Sequence, residues 1–260
     1  MSVLTEVYSF YGAFSGTKGV YGFSEQGRPL VYCTVGEGRP LVLAQYAMHA
    51  REHITARLAL KQAADGLRGK TGSVVYLPLT NPDGVKLCEE GRPQWKANAE
   101  GVDLNVNFPA RWGTGVQNKR SAGASDFIGE FPLCAAESAA LAEFTRRVRP
   151  DMTVSFHAKG EEIYWYFYQQ EPALSRDRAL AEIAAEETGY VLRTPSGSAG
   201  GYKDWCVEAL GIPALTVEVG GDSLSHPIGQ ESAEEIYGRN RTLLPALLAA
   251  LAGADKKDEG

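Results

Sequence analysis

The stretch PLVLAQYAMHAREHITARLAL, residues 40–60, decides the fold. Its apolar beginning, 40–46, predicts a strand, and a helical pattern begins at Ile54 and continues to Leu67. Only a short turn containing HAREH, residues 49–53, separates the two. A strand that gives way directly to a helix is typical of α/β proteins.

The same alternation continues on both sides of this stretch. We predict further strands at 30–35, 73–79, 152–156, 163–168 and 214–219, and further helices at 134–147, 175–188 and 233–251. Strands that alternate with helices indicate an α/β layered fold, with a largely parallel or mixed sheet covered on both faces. The segment 81–129 is the exception, because it is rich in turn residues and shows little periodicity. Loops that long inside a compact domain usually carry function.

Length and composition indicate one domain. The chain has 260 residues, of which 44% are hydrophobic, enough for one sizeable core. We therefore predict a single domain at 1–252. Residues 253–260 are charged and poor in apolar side chains, so we predict a disordered tail there.

Charge and segment composition exclude some classes of partner. The net charge is −6 and there is no basic cluster, which argues against nucleic acid as a ligand. No run approaches the roughly 20 apolar residues of a membrane helix, and the beginning MSVLTEVYSF lacks the order of a signal peptide. We therefore expect a cytoplasmic protein that acts on a small or peptidic substrate. The four cysteines are far apart in sequence, which predicts reduced, mostly buried thiols.

Two of the four histidines follow predicted strands directly. His49 comes after LVLAQYAM and His157 after MTVSF, and Glu52 stands three residues beyond His49. Ligands bind outside the carboxyl ends of strands in open α/β sheets. Two imidazoles and one carboxylate with an open fourth position make a catalytic zinc site. The pattern predicts one Zn²⁺ ion held by His49, Glu52 and His157.

The other two histidines are assigned different roles. The string HAREH invites comparison with HExxH, in which the Glu beside the first His acts as base, but Arg51 occupies that position. We therefore predict a structural role for His53. His226 lies in a loop rich in Gly and Ser, and we predict that it is a rim residue.

A lone carboxylate, Glu218, ends the apolar strand ALTVEV. Burial of an unpaired carboxylate is costly, so the group is either satisfied by backbone amides or functional. A buried acid at a strand end that faces a metal suits the role of general base, because its raised proton affinity lets it take a proton from water. We predict that role for Glu218.

Five motifs together resemble the zinc carboxypeptidase family, the carboxypeptidase A-like or M14 metallopeptidases. They are HARE at 49–52, NPDGV at 81–85, VDLNVNF at 102–108, His157 after a strand, and TVEV around Glu218. The resemblance implies a mixed, eight-stranded twisted sheet between helices. It places the zinc ligands on His49, Glu52 and His157 and the catalytic glutamate on Glu218. It also assigns Asp103 as the carboxylate that orients His49.

Several positions depart from the family pattern. The Asn-Arg pair with which family exopeptidases bind the terminal carboxylate falls on Asn105 and Val106, and valine cannot make the bidentate contact of a guanidinium. The tyrosine that closes over the substrate has no counterpart; the matching region is 195–197. The arginine that polarises the scissile carbonyl falls on Lys96, which can still stabilise an oxyanion as a point charge. Arg51 is retained where the family keeps an arginine for substrate binding.

Within the family, the chain is most similar to the γ-D-glutamyl-L-diamino acid peptidases, which cut the γ-D-glutamyl to meso-diaminopimelate bond of peptidoglycan peptides. The strings WKANAEGVDLNVNFPARW, FHAKGEEIYWYF and GSAGGYKDW carry this likeness. By resemblance, Lys203 lies at the bottom of the pocket for the side chain after the cut, where it would pair with the distal carboxylate of diaminopimelate. Asp204 would meet the distal ammonium. The alternative is that Lys203 is an exposed lysine whose stem packs on Trp205.

Three functions remain open on these residues. The first is a zinc peptidase or amidase acting on cell-wall peptide fragments. The second is a metallocarboxypeptidase that removes acidic C-terminal residues from α-linked peptides, which Lys203 favours and Val106 disfavours. The third is a non-catalytic domain that binds wall fragments, which Glu218 disfavours because a binding module has no need of a general base.

Overall fold

The computed structural model describes residues 1–194 and 197–258, with side chains described as far as Gly253. Within this part of the chain the strands are β1 (Lys18–Phe23), β2 (Pro29–Glu37), β3 (Leu41–Tyr46), β4 (Gly72–Leu77), β5 (Met152–His157), β6 (Glu162–Tyr164), β7 (Val191–Arg193) and β8 (Ala214–Glu218). The helices are α1 (Val3–Ala13), α2 (Ile54–Asp65), α3 (Pro82–Glu89), α4 (Ala136–Val148), α5 (Ala173–Thr188), α6 (Tyr202–Leu210), α7 (Ala233–Asn240) and α8 (Leu243–Asp258).

All of these strands belong to one mixed sheet, in the order β1-β2-β4-β3-β5-β8-β6-β7. The centre, from β4 through β3 and β5 to β8, is parallel, whereas β2 and β6 join this centre in antiparallel pairs. The prediction of an α/β fold with a mixed, eight-stranded sheet between helices is confirmed.

Side chains that alternate along β3 explain why helices cover both faces. Val42, Ala44 and Tyr46 pack in one buried cluster with residues of α2, α5 and α8. Leu43 points to the other face and packs in a second cluster with residues of α4 and α6. A strand buried on both faces has no side that faces water, so its sequence is nearly all apolar, as in 40–46, where Gln45 is the one amide side chain.

The segment 81–129 contains more regular structure than its composition indicated. Asn81 accepts a hydrogen bond from Gly84 N at 2.9 Å, and Pro82 occupies the first turn, so the string NPDGV begins α3. A single helical turn follows at Leu104–Val106, capped by the side chain of Asp103. Both places lie close to the carboxyl ends of the central strands.

Two predicted elements differ in extent. The strand predicted at 163–168 ends at Tyr164, and Tyr168 has a left-handed backbone with φ of 58° that a strand excludes. The helix predicted at 233–251 is two helices, because Pro245 lacks an N–H and suits the first turn of α8 rather than a helix interior. Helix α8 extends to Asp258, into the charged tail. The division into a domain at 1–252 and a tail stays a prediction.

All four cysteines are free thiols, and all but the half-buried Cys134 are buried. In the described ranges, every helix is too short or too polar to span a bilayer.

Candidate metal centre and active site

The residues predicted as metal ligands converge at one edge of the sheet. His49 follows β3, Glu52 closes the helical turn Ala50–Glu52, and His157 is the last residue of β5. Because β3 and β5 are parallel neighbours, their carboxyl ends place the two histidines side by side. All three side chains are buried.

Their spacing fits one metal ion. The Nδ1 atoms of His49 and His157 lie 3.1 Å apart. The Glu52 carboxylate reaches both, with Oε1 at 2.9 Å from His49 Nδ1 and Oε2 at 3.0 Å from His157 Nδ1. Tetrahedral zinc with Zn–N bonds of about 2.0–2.1 Å separates two nitrogen ligands by about 3.3 Å. The ligand atoms of the three residues all lie within 4.8 Å of one another, so the cluster could hold a single ion.

Asp103 fixes the tautomer of His49. Its Oδ1 lies 3.1 Å from His49 Nε2, and because a carboxylate only accepts, the neutral ring carries its proton on Nε2, which leaves Nδ1 to bind a metal ion. Asp103 also accepts from the backbone N–H groups of Asn105 and Asp126 and lies 2.7 Å from Lys96 Nζ. Burial alone would raise the pKa of Asp103, but Lys96 and His49 hold it well below its usual range.

The charges of the three ligand residues shift one another's pKa values. Burial alone would lower the pKa of His49, but the Glu52 and Asp103 carboxylates outweigh it and raise that pKa to about 9. Burial works against the Glu52 carboxylate, yet His49 and His157 hold the pKa of Glu52 well below its ordinary value. Burial lowers the pKa of His157. Negative charge concentrated on Glu52 between two imidazoles is what a divalent cation site needs.

Glu218 stands beside the ligands as the last residue of β8. It pairs with His157 in the strand register and lines a cavity of about 360 Å³ together with His49 and Lys96. Burial, together with the charge of Glu52, raises the pKa of Glu218 to about 8. We call this space the metal-side cavity; further members of its lining are Asn105, Val106, Tyr164, Lys203, Asp204 and Thr216.

Lys203 and Asp204 form a buried ion pair in the metal-side cavity. Their side chains meet at 2.6 Å in the first turn of α6, and the two residues are only 5% and 3% exposed. The Lys203 ammonium also donates to the carbonyl of Tyr166 at 3.1 Å, and Asp204 accepts from Gly201 N. Lys203 is therefore not the exposed lysine of the alternative interpretation.

Lys96 also faces the metal-side cavity. Its Nζ lies 2.7 Å from Asp103 and 3.4 Å from Asp126. Burial opposes its charge, but Asp103 raises the pKa of Lys96 above its usual value, so the ammonium stays charged.

The remaining predicted substrate residues differ in position. Asn105 and Val106 line the metal-side cavity, and Asn105 Oδ1 accepts from Tyr202 N at 3.1 Å. Arg51 does not line it, and its buried Nε has no hydrogen-bond partner among the described residues. Residues 195 and 196, in the region that matches the family tyrosine, lie outside the described residues.

The other histidines stay out of the ligand cluster. His53 caps α2 and is buried, and burial lowers its pKa to about 4, so the ring is neutral. His226 lies near enough to Arg51, Lys159 and Glu52 for their charges to act on its pKa, which burial lowers. This location fits the predicted rim position.

Sequence reasoning missed Tyr164, Thr216 and Asp126. Tyr164 and Thr216 are register partners on β6 and β8, and both face the metal-side cavity. Thr216 stands two residues before Glu218, so the period of two along a strand could have placed it on the same face. Tyr164 and Asp126 are brought in only by long-range contacts that no local pattern reveals.

The fold and the site together define a zinc metallopeptidase. A sequence model of the zinc carboxypeptidase family matches residues 16–233. The chain belongs to the zinc carboxypeptidase family, as its motifs predicted. Zinc is the metal of this family, and the cluster of His49, Glu52 and His157 fits it.

Individual relatives are similar over most of the chain. Gamma-D-glutamyl-L-diamino acid endopeptidase 1 of Lysinibacillus sphaericus is 30% identical over 88% of this chain, which spans 66% of that protein's length. Murein peptide amidase A of Escherichia coli K12 is 30% identical, over 87% of this chain and 88% of the relative.

Solved structures extend the comparison to the fold. Bovine thrombin-activatable fibrinolysis inhibitor, in complex with a tick carboxypeptidase inhibitor, superposes with a TM-score of 0.86 at 17% identity, covering 98% of each chain. The murein-tripeptide amidase MpaA of Escherichia coli O157 superposes with a TM-score of 0.67 at 25% identity, covering 92% of this chain and 94% of the other.

Proposed function

We propose that this protein is a zinc-dependent peptidase that hydrolyses the γ-D-glutamyl–meso-diaminopimelate bond of peptidoglycan peptides. The observation that carries the proposal is the buried Lys203–Asp204 pair in the cavity that also holds Glu218. Two relatives whose names denote a γ-D-glutamyl-diamino acid endopeptidase and a murein peptide amidase support the same substrate class.

The metal would be held by His49 Nδ1, His157 Nδ1 and the Glu52 carboxylate. When bound, Zn²⁺ supplies Lewis acidity, which acidifies water and polarises a carbonyl group. Asp103 keeps His49 in the tautomer that leaves Nδ1 free.

Glu218 is the proposed general base, and Lys96 the proposed oxyanion donor. Glu218 takes a proton from the attacking water and returns it to the leaving amine, so that the amide is replaced by one carboxylic acid and one amine. Lys96 stays charged and faces the metal-side cavity, where its ammonium can stabilise negative charge on the scissile carbonyl oxygen.

The Lys203–Asp204 pair fits a zwitterion better than a lone acid. Lys203 uses two ammonium hydrogens, on Asp204 and on the carbonyl of Tyr166, and one donor remains. Asp204 keeps acceptor capacity beyond its contacts with Lys203 and Gly201. The distal carbon of diaminopimelate carries both a carboxylate and an ammonium, which match these two groups.

A metallocarboxypeptidase that removes acidic C-terminal residues is the second candidate. The unused N–H donor of the Lys203 ammonium favours this activity, because it could bind the side-chain carboxylate of an acidic C-terminal residue. Asp204 disfavours it, since its carboxylate lies 2.6 Å from the Lys203 ammonium and would repel a lone acid. Val106 also weakens binding of a terminal carboxylate, because it offers no charge.

The remaining parts of the proposal rest on the sequence. Arg51 stands directly before the ligand Glu52, and we assign it to substrate binding. A non-catalytic binding role has no use for Glu218 or Lys96. We further propose that the protein acts in the cytoplasm on wall fragments and not on nucleic acid.

Three peptides test the proposed bond. The zinc-loaded protein is incubated with L-Ala-γ-D-Glu-meso-diaminopimelate, with the same peptide carrying L-Lys as third residue, and with an α-linked peptide ending in Glu. Mass spectrometry follows the released amino acid. We expect release of diaminopimelate at least about tenfold faster than release of Lys, because a charge-assisted contact contributes roughly 1.5–3 kcal/mol. Preferred release of the α-linked Glu would favour the carboxypeptidase instead.

A further inference from the structure

Glu137 is a buried carboxylate without a counter-ion. It is the second residue of α4, it is fully buried, and no lysine, arginine or histidine of the described residues forms an ion pair with it. Its Oε1 accepts from Glu25 N at 3.2 Å and its Oε2 from Asn98 Nδ2 at 3.0 Å. A glutamine would bury no charge, but its single oxygen could accept from only one of these donors, and its amide N–H groups would oppose the other.

Asn98 shapes the loop 98–102 from inside. Its Oδ1 accepts from Val102 N at 2.9 Å, and its backbone N–H donates to the Val102 carbonyl at 2.9 Å. Its own carbonyl accepts from the indole N–H of Trp95 at 3.0 Å. Because the side-chain NH2 group of Asn98 donates to Glu137, this carboxylate fixes the orientation of the amide around which the loop folds.

The loop connects the two charged groups that the proposed reaction uses. Lys96 stands two residues before Asn98 and Asp103 five residues after it, and the two side chains meet at 2.7 Å. Asp103 contacts His49, and the Lys96 carbonyl accepts from Ala50 N at 3.0 Å. A shift of the loop would therefore move both charges relative to the metal ligands. Misplacement of a reacting group by about 1 Å can cost about a hundredfold in rate.

We propose that Glu137 is a positioning residue for the hydrolysis, which holds Lys96 and Asp103 in place through Asn98. The proposal rests on the proposed function, which assigns Lys96 to the scissile carbonyl and Asp103 to the ligand His49. Glu137 does not line the metal-side cavity, so it acts on the reaction only through the loop. Its loss should reduce kcat more than it raises KM, because the oxyanion forms only in the transition state.

Exchange of the two side chains tests this link. In Glu137→Gln the new amide opposes the N–H group of either Asn98 or Glu25, and in Asn98→Asp two carboxylates face each other. The double variant Glu137→Gln/Asn98→Asp restores the hydrogen bond in the opposite direction. Its glutamine amide donates to the aspartate and its glutamine oxygen accepts from Glu25 N, while the other aspartate oxygen accepts from Val102 N.

The first measurement is kcat on L-Ala-γ-D-Glu-meso-diaminopimelate at pH 8 and saturating zinc. We expect each single variant to lower kcat about tenfold, with a smaller change in KM. The double variant should return to within about threefold of the unmodified protein. A role in folding alone would change the Tm and leave the kcat of the folded, zinc-loaded protein unaltered.

Zinc affinity provides a second measurement that needs no substrate. Because Asp103 orients His49, each single variant should weaken zinc binding about three- to tenfold in competition with a chromophoric chelator, and the double variant should restore it. Asp83→Asn is the matched control. Asp83 is also a buried carboxylate, and it accepts from Gln26 N and pairs with Arg28 in the turn between β1 and β2. This variant should lower the Tm but keep both kcat and the zinc affinity.

Unchanged kcat and zinc affinity in both single variants would overturn the positioning role. Losses that the double variant does not recover would also overturn it, and so would equal losses in Asp83→Asn. If the unmodified protein releases no diaminopimelate, the proposed function fails by itself, and the zinc affinities of the same variants then decide whether Glu137 positions Asp103.

Discussion

Glu218 and His157 lie directly opposite each other in the register of β8 and β5, each as the last residue of its strand. Because β5 and β8 are neighbouring parallel strands, their last residues place a metal-binding imidazole and a carboxylate side by side at the same edge of the sheet. Groups on strands are held more precisely than groups on loops. Burial at this edge, together with the charge of Glu52, raises the pKa of Glu218 to about 8.

Glu218→Gln should abolish most of the activity and leave zinc binding intact. Glutamine has nearly the same shape but cannot accept a proton, and general acid–base catalysis contributes about 10²- to 10⁴-fold. The measurements are kcat on the tripeptide and zinc content by atomic absorption. Glu208→Gln, on the outer part of α6, is the matched control and should keep full activity. Loss of zinc together with activity would show that Glu218 supports the metal instead.

Zinc should stabilise the fold through His157. A ligand that binds only the native state adds about 2.7 kcal/mol at a free concentration one hundred times its Kd. We expect chelation to remove activity and lower the Tm, and zinc to restore both. In His157→Ala, addition of zinc should no longer raise the Tm. His53→Ala is the control, because His53 lies outside the ligand cluster, and its response to zinc should persist.

Asp103→Asn should weaken zinc binding about 10- to 100-fold, the usual cost of losing a carboxylate that orients a ligating histidine. The amide no longer forces the proton onto His49 Nε2, and it leaves Lys96 with less negative charge nearby. Competition with a chromophoric chelator measures the affinity. Asp126→Asn separates the effect on His49 from the effect on Lys96. Asp126 contacts Lys96 at 3.4 Å, so this variant removes negative charge near Lys96. It keeps the Asp103 carboxylate beside His49 Nε2. Equal losses in both variants would attribute the effect to Lys96.

The sequence predicted His49, His157 and Glu218 because each follows or ends an apolar run, and it predicted Glu52 because this carboxylate stands three residues beyond His49. Strand ends can be read locally, and the order of strands in α/β folds follows few rules. The alternation of strands and helices indicated only a largely parallel or mixed sheet, and the mixed, eight-stranded form was implied by the resemblance to the family.

The lining of the cleft could not be read in the same way. Tyr164 reaches the metal-side cavity only because β6 pairs with β8 in antiparallel register, at a separation of about fifty residues. Asp126 comes from a segment with little periodicity, whose position depends on backbone contacts such as Val116 N to Gly197 O at 2.9 Å. Such contacts are fixed by the folded chain and leave no local pattern.

Lys203→Met should remove the preference for diaminopimelate over lysine. The single change leaves Asp204 buried and unpaired, which destabilises by about 3–5 kcal/mol, so the double variant Lys203→Met/Asp204→Asn is compared with it. In that variant the asparagine oxygen can still accept from Gly201 N. We expect the ratio of kcat/KM for the two tripeptides to fall about 10- to 100-fold while the Tm changes less than in the single variant. A preserved ratio would place the recognition of the distal carboxylate elsewhere.

Glu137→Gln should make the free energy of unfolding less sensitive to pH. Glu137 is fully buried in α4, where it accepts from Glu25 N and from Asn98 Nδ2, and burial raises its pKa to about 7. In the unfolded chain the group titrates near 4.3, so between these values the folded state holds a proton that the unfolded state has released. Its contribution to stability is therefore complete below about pH 4 and is lost as the pH rises to about 7, a change of roughly 4 kcal/mol. Between pH 5 and pH 8, urea unfolding should show Glu137→Gln gaining about 3 kcal/mol relative to the unmodified protein, the part of this change that falls between pH 5 and about 7. Glu143→Gln, on the exposed side of the same helix, should follow the unmodified protein at both pH values. Parallel behaviour of all three proteins would mean that Glu137 is charged in the folded state at pH 5.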